Sequence, residues 1–240
     1  MKNKIPDRDR LIVALDFPDA APARALVETL GDAAGFYKIG MELCMAPGFF
    51  ELLEWLRARD KKVFVDLKFF DIPETVARAV ARLSERGAQF CTVHGNQAIM
   101  QAAAKAKSGG MQVLAVTALT SLDRGDLDDL GFQCDVAALV LSRAKRALAA
   151  GCDGVVSSGL EVAALREFAP RELIVVTPGI RPVDNDSESA DTGDQKRVMT
   201  PARALLAGAD HLVVGRPIRD AADPRAATYR IQTEIAEALK

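Results

Sequence analysis

Little in this chain suits a disulfide frame, a zinc site, a membrane span or a polyanion-binding surface. Its four cysteines, Cys44, Cys91, Cys134 and Cys152, are widely spaced with no CxxC pair, and three lie inside or beside apolar runs. That pattern reads as buried free thiols in a reducing compartment. The two histidines, His94 and His211, show no paired spacing, so no metal is expected. GxSxG is absent, and no base is placed to activate Ser157 or Ser158. No apolar run approaches the ~20 residues that cross a bilayer. Residues 1–10 are polar and charged without an apolar h-region, which argues against a signal peptide. A formal net charge of −2 offers no basic face to nucleic acid. The expectation is a cytoplasmic protein with neither a membrane nor a nucleic-acid partner.

What is present is an alternation. Short β-branched runs at residues 11–17, 36–40, 63–69, 90–94, 113–119, 154–158, 173–177 and 211–215 read as strands. Amphipathic stretches lie between them, including 49–59, 74–86, 136–149, 162–168 and 201–207, and 224–240 closes the chain as a helix. Trp55 and the Phe49–Phe50 pair read as packing on a helix face. Eight strands each followed by a helix, with no break in composition over 240 residues, predict a single-domain α/β protein, a (β/α)₈ TIM barrel spanning 1–240. A doubly wound open sheet is the alternative.

The sharpest feature is Val65-Asp66-Leu67-Lys68-Phe69-Phe70-Asp71-Ile72-Pro73-Glu74-Thr75. Side chains two apart on a strand share a face, so Asp66 and Lys68 point one way and Val65 and Leu67 the other. Pro73 suits the first position of the following helix. A packed strand has no use for charges on one face, because burying charge is costly unless it is paired. In a barrel the C-terminal strand ends form the reactive face. Those ends carry Asp16, Lys38, Asp66 with Lys68, His94, Thr120 with Ser121, Ser157 with Ser158, Pro178 with Arg181, and Gly215 with Arg216. A lone Asp there is ordinarily a turn or cap residue, but the joint pattern is harder to explain that way. Gly215-Arg216 has the composition of a phosphate site, an ordinary strand-to-helix turn being the alternative. His94 reads as a hydrogen-bonded structural histidine in preference to a general base, and His211, starting its strand, as structural. The acidic segment after the seventh strand, 181–196, is long enough to read as a functional or mobile loop.

These residues resemble the orotidine 5′-phosphate decarboxylases of bacterial type. The resemblance runs from Leu15-Asp16-Phe17 to Gly215-Arg216-Pro217-Ile218. It is most specific at Asp66–Thr75, Leu119-Thr120-Ser121, Thr177-Pro178-Gly179-Ile180-Arg181 and Asp194-Gln195-Lys196-Arg197-Val198-Met199-Thr200-Pro201. It implies a (β/α)₈ barrel, a carboxy-lyase producing UMP, no metal or organic cofactor, and a homodimer with two sites shared across the interface. By the same resemblance Lys68 is the proton donor. Lys38, Asp66, Lys68 and Asp71 form an alternating charge network, with Asp71 and Thr75 reaching the neighbouring subunit's site. Asp16 and Lys38 hold the ribose hydroxyls, Thr120 contacts the pyrimidine, and Gln195, Arg216 and the Gly215 amide grip the phosphate. Asp66, Ile72, Thr75, Pro178 and Arg181 complete the implied substrate-binding set. The run between Arg181 and Gln195 is longer and more acidic than the family pattern leads one to expect.

The implied chemistry suits the residues. Loss of CO₂ from C6 leaves a poorly delocalised carbanion, which a fixed ammonium stabilises and then protonates. The nearest rivals, the 3-keto-L-gulonate 6-phosphate decarboxylases, resemble this chain in Asp-x-Lys-x-x-Asp but use Mg²⁺ held partly by an acidic residue ending the second strand. Here that end reads Tyr37-Lys38-Ile39-Gly40, and a lysine repels a divalent cation. A catalytically inert nucleotide-binding barrel is the remaining alternative, and it gives no reason to keep Lys68 between two aspartates.

Overall fold

A computed structural model of the chain describes residues 5–169, 172–182 and 197–240. Its first half runs β1 (Leu11–Ala14), α1 (Ala20–Leu30), β2 (Phe36–Gly40), α2 (Met41–Met45), α3 (Phe49–Arg57), β3 (Lys62–Phe69), α4 (Pro73–Glu85), β4 (Phe90–Val93) and α5 (Gln97–Ala106). The second half continues with β5 (Gln112–Val116), α6 (Arg124–Asp129), α7 (Val136–Ala149), β6 (Gly154–Val156), α8 (Val162–Phe168) and β7 (Ile174–Thr177). It ends with α9 (Pro201–Leu206), β8 (His211–Val214), α10 (Arg216–Arg219) and α11 (Pro224–Ala238). All eight strands pair in parallel with their sequence neighbours, and β8 pairs back onto β1 to close the barrel. The expected barrel is present, and the open sheet is excluded by the β1–β8 pairing.

Strand alternation builds two packed layers. Outward residues such as Val13, Tyr37, Ile39, Val65, Cys91, Val113 and Val214 meet the apolar stripes of the helices. Helix α4 is representative: Pro73 fills its first position, and Val76, Val80 and Leu83 form its buried face at helical spacing. Inward residues Ile12, Phe36, Phe64, Phe90, Leu114, Ile174, Val176 and Val213 fill the barrel. β6 approaches β7 so closely that a Cβ on Gly154 would stand 2.3 Å from the Ile174 carbonyl oxygen. Only glycine fits there.

Several strands are shorter than the sequence predicts. β1 ends at Ala14, not at residue 17, and β5 at Val116, not at residue 119. Hydrophobicity continues past the last ladder bond, so the apolar run overstates the strand. Phe50 also departs from expectation: Phe49 is buried, whereas Phe50 is exposed with the Arg86 guanidinium 4.1 Å from its ring. Trp55 packs against the core, flanked by Arg59 and Arg24. Cys91 and Cys152 are buried, with thiols pushed up to about 12 by desolvation, while Cys44 and Cys134 are half-buried and all four are free.

The floor of the barrel includes a histidine. His211 is buried, its Nδ1 is 2.8 Å from the Asp9 carbonyl oxygen, and its ring stands edge-on to Phe36 and Phe90. A carbonyl only accepts, so Nδ1 carries the proton. Burial holds this imidazole below its ordinary pKa, against the opposing pull of the Asp9 carbonyl and Asp210. The unfolded chain therefore takes up this proton first as pH falls. The stability linked to the neutral ring is complete above about pH 6.5 and is lost as pH falls from there towards the lower folded value. His211→Asn keeps a donor but cannot titrate. Urea unfolding should give a variant weaker by about 0.5–3 kcal/mol at pH 8 and with a flatter stability profile between about pH 5 and 6.5. An unchanged slope would assign the acid sensitivity to another group.

Candidate active site

The inward alternation that lays down an aromatic floor also raises the polar groups above it. Lys38 stands two residues beyond Phe36, Asp66 two beyond Phe64, and Thr92 two beyond Phe90. The ladder Tyr37↔Val63 to Gly40↔Asp66 is regular, so the β2 and β3 residues rise in step. Above the floor opens a cavity of about 570 Å³, within the range of roughly 300–1,000 Å³ usual for small-molecule sites. Ala14, Phe64, Val156 and Val213 form its apolar base, and the strand ends supply its polar wall.

Along that wall the charges alternate. Lys38 Nζ donates to Asp16 Oδ1 at 2.8 Å and lies 3.9 Å from Asp66 Oδ2. Lys68 Nζ donates to the same Asp66 Oδ2 at 2.9 Å. The order Asp16–Lys38–Asp66–Lys68 thus places every charge beside one of opposite sign. Lys38 and Asp66 are largely buried, at 11% and 15% side-chain exposure, where such pairing counts most. Lys68 reaches this position from an irregular backbone. The β3–β4 register jumps from Val65↔Cys91 to Phe69↔Val93, and Lys68 has φ 49°. A left-handed conformation costs a non-glycine residue about 1–3 kcal/mol and concentrates at functional sites.

The rest of the mouth is cationic. Arg181, Arg216 and Arg219 line the cavity with Lys38 and Lys68, so among the described residues five cations and two carboxylates, Asp16 and Asp66, face it. Pro178, Gly179, Thr120, Ser121 and Gly215 line it as well. Among the described residues this excess of cations suits an anionic ligand. Gly179 has φ 74°, a conformation glycine adopts freely. Beyond it Arg181 N donates to the Met199 carbonyl and Met199 N to the Gly179 carbonyl, which joins the two flanks of the seventh-strand segment. Arg197 makes a buried ion pair with Glu161 on the same side. Gln195 and most of the expected 181–196 loop lie outside the described residues.

Of the residues singled out from sequence, Asp16, Lys38, Asp66, Lys68, Thr120, Pro178, Arg181, Gly215 and Arg216 meet at this one cavity. Asp71, Ile72 and Thr75 do not line it; they are exposed at the start of α4, where Asp71 Oδ1 accepts from the Ile72 amide at 2.6 Å. Ser157 and Ser158 are buried away from the cavity, and Ser158 accepts from the Leu160 amide. His94 sits outside it, its ring 5.6 Å from Phe70. Burial, then Arg143 and Lys68, hold the His94 imidazole below its ordinary pKa. Two residues escaped the sequence reading. Arg219 donates to the Asp16 carbonyl at 2.7 Å and forks onto Asp220, whose carboxyl it holds below the usual carboxylate range. Thr92 donates to Asp66 Oδ1 at 2.8 Å and accepts from the Lys68 amide at 2.9 Å. Its signal was the Phe64↔Phe90 register, which sets Thr92 beside Asp66.

Comparison with known proteins agrees with this geometry. The model of the Orotidine 5'-phosphate decarboxylase / HUMPS family matches residues 9–231. A protein of Methylococcus capsulatus named orotidine 5'-phosphate decarboxylase is 65% identical over 236 residues, covering 98% of this chain and 96% of that one. One of the same name from Rhodopseudomonas palustris is 54% identical over 235 residues, covering 98% and 97%. The crystal structure of orotidine 5'-phosphate decarboxylase from Lactobacillus acidophilus superposes with a TM-score of 0.81 at 35% identity, covering 95% of this chain and 99% of that one. A family model matched over residues 9–231 and a relative 65% identical over nearly the full length leave one conclusion: the chain belongs to the Orotidine 5'-phosphate decarboxylase / HUMPS family.

Proposed function

We propose that this chain is a metal-independent carboxy-lyase of pyrimidine biosynthesis, converting orotidine 5′-phosphate to UMP, with Lys68 donating the proton to C6. The observation that carries this reading is the Lys68 ammonium, held 2.9 Å from Asp66 in a cavity whose remaining charged groups are mostly guanidiniums. In the reaction the bond from C6 to the carboxylate breaks, CO₂ leaves, and the electron pair stays on C6. The Lys68 ammonium stabilises that pair and transfers a proton to it, and the neutral amine is reprotonated from solvent. Arg216, Arg181 and the Gly215 amide are placed to take the phosphate, with Gln195 assigned to the same group from sequence. Asp16 and Lys38 suit the ribose hydroxyls and Thr120 the pyrimidine. Phosphate binding far from C6 supplies binding energy that can be used at the reacting carbon.

Lys38 argues against the magnesium-dependent alternative. Its ammonium lies between Asp16 and Asp66, the two carboxylates a divalent cation would need at this wall. The four free thiols suit a reducing cytoplasm. Dimerisation is supported by the α4 entrance, where Asp71 and Thr75 are exposed beside Phe70 and Ile72, at 68% and 66% exposure. Large apolar side chains exposed together mark association surfaces. In this reading Asp71 and Thr75 complete the partner's site, while Asp66 and Lys68 serve their own.

Absorbance-monitored loss of orotidine 5′-phosphate should proceed at an undiminished rate in excess EDTA; activity that required added Mg²⁺ would favour the alternative. Lys68→Ala should lower kcat by at least about 10⁴-fold while UMP binding, measured by calorimetry, persists. Near-wild-type turnover by that variant would remove Lys68 from the chemistry. Mixing inactive Lys68→Ala and Asp71→Ala subunits should restore up to about a quarter of wild-type activity, because half the dimers are mixed and each rebuilds one of two sites. No recovery in demonstrated mixed dimers would return Asp71 to its own chain.

A further inference from the structure

The irregularity in β3 brings one backbone amide to a side-chain acceptor. Between Val65↔Cys91 and Phe69↔Val93, β3 advances four residues while β4 advances two. The Lys68 N–H falls in that gap, and a half-buried amide off the regular ladder needs another acceptor. It finds the Thr92 hydroxyl, at 2.9 Å. Thr92 is completely buried on the inward face of β4, with no solvent to compete for its oxygen. Because that oxygen is accepting from Lys68, the hydroxyl proton is free to point elsewhere, and it lies on Asp66 Oδ1 at 2.8 Å. The other Asp66 oxygen, Oδ2, receives Lys68 Nζ. One hydroxyl therefore ties together the main chain of Lys68 at φ 49° and the carboxylate that orients its ammonium.

We infer that Thr92 is a positioning residue for the Asp66–Lys68 pair, locking both the backbone of the proton donor and the rotamer of its carboxylate partner. The inference rests on the reading of Lys68 as proton donor. Thr92 does not line the cavity, so its effect reaches the substrate only through these two residues. Loss of the hydroxyl frees the Lys68 backbone to relax and the Asp66 carboxylate to turn. The ammonium then spends less time at C6, while the groups that hold phosphate are untouched and Lys38 keeps its 2.8 Å bond to Asp16. The signature is a loss in kcat with little change in ligand affinity, which general loosening of the barrel does not produce.

Thr92→Val keeps the shape of the side chain and removes both bonds, and Thr92→Ser keeps the hydroxyl. With orotidine 5′-phosphate as substrate, Thr92→Val should lose about 10- to 100-fold in kcat, the consequence of breaking hydrogen bonds to a charged group. UMP affinity should stay within about threefold, as expected for a residue that touches no ligand, and Thr92→Ser should recover most of the rate. Wild-type turnover in Thr92→Val, or an equal loss in Thr92→Ser, overturns the inference. So does a parallel fall in UMP affinity. A crystal structure of Thr92→Val gives an arm independent of activity: Asp66 should turn from its present rotamer or Lys68 should leave positive φ. If wild-type enzyme proved inactive on orotidine 5′-phosphate, the decarboxylase reading would fall, and the crystal structure would still decide whether Thr92 positions the pair. An unchanged Asp66–Lys68 geometry there overturns it.

Discussion

Four charges in a line, Asp16, Lys38, Asp66 and Lys68, are the constraint on which the rest of this molecule depends. Each ammonium is separated from the other by a carboxylate, and each carboxylate from the other by an ammonium. Such an array tolerates burial only while it is complete. Removing either inner member, Lys38 or Asp66, leaves like charges facing one another where the line is most buried, the situation that costs several kcal/mol in a protein interior. The array also has to be held at fixed spacing, which loops do poorly and paired strands do well. A barrel of parallel strands supplies that rigidity: β1, β2 and β3 are adjacent, and each contributes to the line at its end or just beyond it.

The same strands set the depth of the site. Period-two alternation places aromatic and aliphatic side chains inward at the lower layer and charged side chains inward at the next, as in Phe36 then Lys38 and Phe64 then Asp66. The low-dielectric floor directly beneath strengthens every electrostatic contact above it. Fold and chemistry are therefore not separate layers of design here. For Lys38 and Asp66, the residue two positions earlier, Phe36 or Phe64, is the packing residue beneath the charge.

Much of this was legible in the sequence, and the limits have physical causes. Eight apolar runs sufficed for the barrel, because a strand buried on both faces has to be apolar along its length. The sharing of one face by Asp66 and Lys68 followed from alternation, although the backbone that delivers Lys68 is irregular, and no pattern of side chains announces a positive φ. Thr92 was hidden because Phe-Cys-Thr-Val reads as an ordinary strand; its role appears only once the register sets it against Asp66. Arg219 reads as an exposed arginine until the short helix α10 brings it one turn beyond Arg216. Phe50 was misread because neighbouring positions on a helix diverge by about 100°, so burial of Phe49 says little about the next residue. The small helices Met41–Met45 and Arg124–Asp129 are too short to show a period at all.

The aromatic floor has one more consequence. Phe36, Phe64, Phe90 and His211 close the barrel beneath the charged wall, so the cavity is a blind pocket and not a channel. Traffic through such a vessel is last in, first out. Whatever the pocket takes up and releases passes the charged wall on its way, because the floor offers no second exit. The direction of that traffic is thus set by the plug at the bottom.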